Sequence, residues 1–398
     1  MASTINSDTS NGVVITPDTS GEIELQSAGV TKAKITSSGL QNASGNAITS
    51  QAGKNLIING DMAIDQRNAG ALINPAIVNY TVDRWQYYQS QASKGSMGQN
   101  AGAITPPTGF TNYLGFTSSS AYSITATDQF FIRQKIEGFN ISDLGWGTVN
   151  AKTVTLSFWV YSSLTGTFGG ALQNNGANKN YPFTYTISSA NTWEQKTVTI
   201  AGDTTGTWLT DNGRGISLDF SLGTGSTYSA TAGAWSSSSF VTSATGATSV
   251  VGTNGATFYI TGVQLETGTT ATPFENLQYG QQLALCQRYF QSSWSQGSAI
   301  GSAVSLTTNS TQQSWGSNNA GIAGQAFLLP VTMRTIPTLV VYDMALTTGK
   351  VTTLGNGAAQ TNNVAANNSS TTTNMFYVRM YANNQAGITF AHTLEAEL

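Results

Sequence analysis

The stretch from Phe258 to Gln291, FYITGVQLETGTTATPFENLQYGQQLALCQRYFQ, carries both kinds of pattern found in this chain. From Phe258 to Leu265 apolar and polar residues alternate with the period of a half-buried strand, and Gly262 shifts the phase where a bulge can sit. The segment GTTATP just after it is rich in turn formers. Beyond it, Tyr279, Leu283, Cys286 and Phe290 fall at i, i+4, i+7 and i+11, one face of a helix, with Asn276 placed as its N-cap. This is the one convincing helical pattern in the sequence. The chain before it reads as one β-rich body and the chain after it as a second, so the stretch is the joint between two domains.

Upstream, Val154, Leu156, Phe158 and Val160 line one face of a strand, while Ser157, Trp159 and Tyr161 line the other. Tyr181, Phe183, Tyr185 and Ile187 make a second such line, Val198 and Ile200 a third, and Ile216, Leu218, Phe220 and Leu222 a fourth. Strands separated by turn clusters, with no helical period between them, predict a β-sandwich. Downstream, FLLPVTMRTIPTLVVYD holds two strands around a turn at Ile336 and Pro337, and FYVRMYA precedes a closing strand. In that last strand Ile388, Phe390, His392, Leu394, Ala396 and Leu398 share one parity. Two polar segments, about 223–255 and 347–374, read as long loops, the first carrying Tyr228, Trp235 and Phe240. Residues 1–53 read as short strands broken by turns, including Val13 to Ile15, with Ile23, Leu25, Val30 and Ile35 as scattered apolar anchors. Hairpins this short are marginal alone. They call for partner chains, unless the segment is a disordered leader.

Four stretches, NLIINGDMAIDQRN from Asn55, YTVDRW from Tyr80, VTLSFWVYSS with GDTTGTWLTDNGRG, and VQLETGTTATPFENLQYGQQLALCQRYFQ, together span residues 55–291. They resemble bacteriophage tail-fibre and minor tail, receptor-binding, proteins, in which a carbohydrate-binding-module-like jelly roll hands over to a small C-terminal β domain. The resemblance implies an all-β chain: an N-terminal trimerising and attachment segment over 1–53, a jelly-roll β-sandwich over 54–275, a helical connector over 276–293, and a C-terminal β knob over 294–398. It also implies a homotrimer, other tail or virion proteins as partners, and a host-surface glycan as ligand.

Charged residues are 9% of the chain, against about 25% in ordinary soluble proteins. With a formal net charge of −3 and 16 Lys plus Arg, nothing supplies the basic stripe that a phosphate backbone requires, so nucleic acid is not an expected partner. A surface of hydroxyls and amides suits a neutral hydrogen-bonding ligand such as a sugar, and equally a subunit interface. The single cysteine, Cys286, allows no internal disulfide and reads as a small buried hydrophobe. No run reaches the roughly 20 apolar residues that a membrane-spanning helix needs, and MASTINSDTSNG has no signal-peptide pattern. The expectation is a virion protein made in the host cytoplasm and freed by lysis, without membrane insertion.

The only histidine, His392, removes most Ser-His-Asp, Cys-His and His-rich metal schemes, and its apolar parity makes it a core or interface residue. There is neither a GxxxxGK[ST] loop nor a CxxC pair. No cofactor, no metal and no enzymatic activity are expected. Glycan cleavage needs only two carboxylates, and Glu194, Asp203, Asp211 and Asp219 are the residues that folding would have to pair. The resemblance raises a structural Ca²⁺ at Asp61, but Thr261 and Gln264 stand where a second acidic ligand belongs.

Aromatic residues off the core parity carry the sharper expectation, because sugars stack their C–H faces on rings while hydroxyls bond to neighbouring amides. Trp159 and Tyr161 are so displaced, Trp85 and Tyr87 share a face by the same spacing, and Tyr228 and Trp235 sit in the first polar loop. These six are the candidate ligand contacts, against the alternative that each packs under a loop or between subunits. Tyr279, Leu283, Cys286, Phe290 and His392 are the candidate oligomer interface. The expected function is therefore a structural fibre protein that attaches to the host surface. A virion decoration or adaptor protein and a glycan depolymerase stand as alternatives.

Overall fold

A computed structural model describes residues 22–27, 30–36, 39–42, 53–74, 77–303, 312–315, 322–355, 361–381 and 385–398. The segment Val13 to Ile15 lies outside the described residues. The chain forms two compact units, Met1–Lys54 with Thr272–Glu275, and Asn55–Ala271 with Asn276–Leu398.

In the first unit, β1 (Ile23–Ser27), β2 (Val30–Thr36) and β3 (Gly39–Asn42) form an antiparallel meander. The register sets Ile23 opposite Ile35 and Leu25 opposite Ala33, so these four share one face, while Lys34 pairs with Glu22 at 3.1 Å and Glu24 at 2.9 Å on the other. Leu25, Val30 and Ile35 remain 43–56% exposed.

The second unit begins with β4 (Val78–Val82), β5 (Trp85–Gln89), β6 (Gly95–Gln99), β7 (Leu114–Ser118), β8 (Gln129–Glu137), β9 (Val154–Ser162), β10 (Gly166–Gln173), β11 (Asn180–Ile187), β12 (Glu194–Ile200) and β13 (Arg214–Thr224). The short β14 (Ser229–Ala230) and β15 (Ser243–Ala244) and the long β16 (Thr257–Thr267) complete a jelly roll. One sheet runs β11-β10-β13-β8-β5-β4 and the other β12-β9-β16-β7-β6, with the chain crossing between them at β6, β8, β9, β10, β12, β13 and β16. Strict alternation explains the core: Leu156, Phe158 and Val160 of β9 meet Ile216, Leu218 and Phe220 of β13, all fully buried. The Phe158 and Phe220 rings touch edge to face, 5.0 Å apart.

Trp85 and Tyr87 belong to this core and are fully buried, which removes both as ligand contacts. The Trp85 indole donates to the Asn59 carbonyl and the Tyr87 hydroxyl to Gln89 Oε1, both inside the fold. The segment 223–255 is not a free loop. It lies against the outer side of the first sheet, where Gln173 Nε2 donates to the Val241 carbonyl at 2.6 Å and β14 pairs with β15. Gly169 permits that approach, since a Cβ there would sit 2.6 Å from Ser243 Oγ.

The helix α1 spans Tyr279–Gln287, and its N-cap is Gln278, whose side chain completes a reciprocal capping pair with Gln281. This corrects Asn276, which lies two residues upstream. The chain then forms β17 (Phe290–Ser292), β18 (Gln312–Trp315), β19 (Ile322–Leu328), β20 (Thr338–Tyr342), β21 (Lys350–Gly355), β22 (Thr361–Ala365), β23 (Asn367–Thr371), β24 (Met375–Tyr381) and β25 (Gln385–Glu395). Three of these strands occupy the stretch expected as the second long polar loop. β25 is the axis of this body, pairing with β17, β18, β20 and β21, while β19, β24 and β23 form a second sheet. Met333, Val341, Val351, Phe376, Ile388, Phe390 and Leu394 fill the space between.

Most of the apolar face of α1 is covered by its own chain. Cys286 and Tyr289 are fully buried against Ile58 and Ile64, with Leu283 packed beside them. Phe290 lies in β17 with 2% exposure and His392 in β25 with 6%. Cys286, Phe290 and His392 are therefore core residues of one chain and not an exposed oligomer interface; Leu283 is half-buried and Tyr279 is 54% exposed.

A polar network joins the jelly roll to the C-terminal body. Glu137, at the end of β8, accepts from Arg288 Nε at 2.8 Å and Nη2 at 2.5 Å, and from the Tyr289 hydroxyl at 2.7 Å. Glu397 takes both Arg67 and Arg84, and those guanidinium groups lie over the rings of Phe290 at 3.6 Å and Tyr289 at 3.5 Å. Burial pushes the Asp83 carboxyl beside Arg67 up to about 7.

Candidate functional site

The outward positions of β9 are the ones its alternation marks. Trp159 stands opposite Gln195 of β12 on one side and Thr261 of β16 on the other, and Tyr161 stands opposite Tyr259. The Tyr161 and Tyr259 rings stack at 5.2 Å with 11° between their planes. Trp193, just before β12, leans on Tyr161 at 5.6 Å, and Tyr113, just before β7, contacts both Trp193 and Tyr259. Aromatic rings from two strands and two connections therefore share one face of the second sheet.

The segment from Asn100 to Tyr113 is tied down against this face. The Trp193 indole donates to the Thr105 carbonyl at 2.9 Å, the Tyr113 hydroxyl donates to the Ala101 carbonyl at 2.8 Å, and the Ile104 amide donates to that same hydroxyl. Burial raises the Tyr113 and Tyr259 hydroxyls above their ordinary value, which keeps them protonated as donors. Gly262 is the residue that lets the segment close. It sits at the bulge between Thr261 and Gln264 with φ +60°, and a Cβ there would lie 2.6 Å from the Phe110 ring and 3.1 Å from Trp159. Phe110 thus lies beside Trp159 over the bare glycine.

Trp159, Tyr161, Trp193 and Phe110 are half-buried, and Asn191, Gln195 and Thr197 around them are exposed. The rings are held from behind while their outer surfaces stay wet, and amide and hydroxyl groups stand beside them. Lys196 and Glu194, which stand opposite Phe158 and Val160 on the other parity of β12, pair with each other at 2.5 Å. Such a face can stack the C–H side of a sugar ring and bond its hydroxyls.

Of the six candidate ligand contacts, the structure places Trp159 and Tyr161 here. Tyr228 ends a 3-10 turn, Ser226–Tyr228, and is half-buried. Trp235 belongs to a separate cluster, edge-on to Trp146 and Trp208 at 5.4 Å each and to Tyr181 at 5.3 Å, and its indole donates to the Ala201 carbonyl at 2.7 Å. It anchors its segment. Sequence reasoning missed Trp193, Phe110, Tyr113 and Tyr259. Tyr259 carries the same off-parity signal as Trp159, whereas Phe110 and Tyr113 come from a connection in which parity has no meaning.

The acidic candidates are each engaged. Asp219 is fully buried in a bidentate pair with Arg133, and Asp203 accepts from the Trp208 indole at 3.0 Å. Glu194 accepts from the amides of Ser188 and Ser189 besides Lys196, and Asp211 accepts from the Gly213 amide. Asp61 takes Gln282 Nε2 of α1 at 2.6 Å.

No protein-family model matches the chain, and no curated protein matches it. Solved structures to which it is similar include the family 11 carbohydrate-binding module of Clostridium thermocellum bound to a β-1,3-1,4-mixed-linked tetrasaccharide, at 12% identity, with 51% of this chain and 100% of that chain covered and a TM-score of 0.26. TmCBM61 in complex with β-1,4-galactotriose is similar at 11% identity over 46% of this chain and 88% of that one, with a TM-score of 0.24. The enzymatically active domain of tailspike protein 4 from bacteriophage CBA120 is 12% identical over 54% of this chain, with a TM-score of 0.30, and this chain spans 22% of its length. Likenesses this distant do not say what the present chain binds.

Proposed function

We propose that the chain binds a glycan on the aromatic face of β9, β12 and β16, and does so as a non-enzymatic fibre component of a bacteriophage tail that attaches the virion to its host. The observation that carries the proposal is the set of half-buried rings, Trp159, Tyr161, Trp193 and Phe110, fixed from behind and bordered by exposed Asn191 and Gln195. A surface of this kind recognises a neutral polyhydroxylated ligand by stacking plus hydrogen bonds. The engagement of Glu194, Asp203, Asp211 and Asp219 with their own partners supports a binding role over a hydrolytic one. The tail-fibre part of the reading rests on the sequence stretches between Asn55 and Gln291.

The homotrimer rests on the first unit. One face of β1–β3 presents Ile23, Leu25, Ala33 and Ile35, and three such sheets would bury a common apolar core. The same exposed face suits a different virion protein, which is the decoration or adaptor reading. Native mass measurement at micromolar concentration separates them: a trimer that becomes a monomer on deletion of residues 1–53 supports the fibre, and a monomeric full chain favours the adaptor. The glycan reading is tested by binding to polysaccharide extracted from host surfaces. Retention that Trp159→Ala leaves unchanged would remove the β9 face as the site.

A further inference from the structure

A cavity of about 500 Å3 opens in the C-terminal body between the end of α1 and the β19 strand. Gln287, Gln291 and Ser292 line it from the α1 and β17 side, Phe327 from β19, and Phe376 and His392 from its inner wall. Among the described residues its lining contains no Asp, Glu, Lys or Arg. A charged ligand would find no partner to offset its loss of water, so the cavity selects an uncharged one. Its volume falls in the range of about 300–1,000 Å3 that holds compact organic ligands, enough for about one to two sugar rings.

Ring stacking and hydrogen-bond capacity meet here as well. The Phe327 and Phe376 rings are stacked at 5.2 Å, and the His392 ring lies 4.5 Å from Phe376. The Gln291 amide is locked, because its Nε2 donates to the carbonyls of Gln287 and Val331, which leaves Oε1 as an acceptor. His392 is 6% exposed and borders the cavity, while its Nδ1, which has no hydrogen-bond partner, is itself closed off from it. Burial holds this imidazole down to about 3, so it borders the cavity as a neutral ring.

We propose that this cavity is a second ligand site, built for one uncharged, hydroxyl-rich ring system, a saccharide unit, held against the half-buried Phe327 ring by the amide and hydroxyl groups of Gln287, Gln291 and Ser292, with the His392 ring in its wall. The choice of ligand class rests on the glycan reading above; the site itself does not. It gives the chain two attachment points of different kinds, an open face on the jelly roll and a partly open cavity in the C-terminal body.

Saturation-transfer NMR on the full chain tests it, with glucose, galactose, N-acetylglucosamine and lactose as neutral probes and glucuronate as the charged one. The expected result is saturation of at least one neutral probe and none of glucuronate. Affinity should fall at least tenfold in Ser292→Trp, which fills the cavity from the half-buried Ser292 of β17, and severalfold in Gln287→Ala, which removes only a polar group. Trp159→Ala should leave the same signal intact. Absence of any neutral signal, equal saturation of glucuronate, or a signal that survives both cavity variants overturns the proposal. Loss of monosaccharide binding in the cavity variants with unchanged polysaccharide binding in Trp159→Ala instead sustains the cavity and removes the β9 face.

Discussion

Glu137→Leu is the perturbation that reports most sharply on how the two β bodies of the second unit hold together. The carboxylate is 1% exposed and serves three donors, Arg288 Nε, Arg288 Nη2 and the fully buried Tyr289 hydroxyl. Leucine keeps the volume and removes both acceptors. Stranding the Tyr289 hydroxyl costs about 1–3 kcal/mol. Loss of the bidentate Arg288 pair adds about 1 kcal/mol, well under the roughly 3–5 kcal/mol of a fully buried pair, because the Arg288 side chain is 31% exposed and water can replace part of the bond. The expected loss is about 2–4 kcal/mol, and Tyr289→Phe in the same background should restore about 1 kcal/mol by removing the stranded hydroxyl. Urea unfolding followed by tryptophan fluorescence measures both, through Trp85 and Trp159 in the jelly roll and Trp294 in the C-terminal body. A loss below about 1 kcal/mol, or strict additivity between Glu137→Leu and Tyr289→Phe, would refute the network as a structural joint.

Gly262→Ala should weaken glycan binding and cost about 1–2 kcal/mol of stability, since its φ of +60° and the Phe110 ring 2.6 Å from the new methyl both oppose it; calorimetry and a binding titration read the two effects. Trp235→Ala should destabilise the fold by about 2–3 kcal/mol, less than a fully buried tryptophan because the ring is half-buried; a melting curve identical to the parent's would contradict the packing of the four-ring cluster. His392 is held neutral in the folded state, with its value lowered from 6.5 to about 3, so the unfolded chain takes up the proton first as pH falls. Its contribution is complete above about pH 6.5 and declines towards pH 3, with a slope of at most about 1.4 kcal/mol per pH unit. The difference in stability between the parent and His392→Leu, measured from pH 7 to pH 4, should show that slope, and a flat difference would place the imidazole in water.

The parts of the fold legible in the sequence are those where polarity contrasts along the chain. β16 shows its phase shift at Gly262 and β9 its two faces, so alternation alone assigns Trp159 and Tyr161 to the outside. Where contrast is lacking the reading fails for a physical reason. In the WQYYQ of β5 every position is aromatic or amide, so the parity that buries Trp85 and Tyr87 leaves no trace in composition. β22 and β23 are written as TNNVA and NNSST, strands held through backbone pairing whose composition is that of a loop. The partner of the α1 stripe lies more than 200 residues upstream at Ile58 and Ile64, a distance no local pattern reports, and that is why the stripe by itself calls for a second chain where the first suffices. Phe110 and Tyr113 reach the candidate site through the tied-down connection before β7, whose position depends on Gly262 far along the chain.

The central claim is that the outer face of β9 binds sugar. Isothermal titration of a neutral host-surface oligosaccharide into the full chain and into Trp159→Ala tests it most directly, with circular dichroism to show that the half-exposed substitution leaves the fold in place. The account predicts a binding isotherm for the parent and a loss of about 1–3 kcal/mol, roughly ten- to a hundredfold in affinity, for the variant. Equal affinity in the two proteins would contradict it.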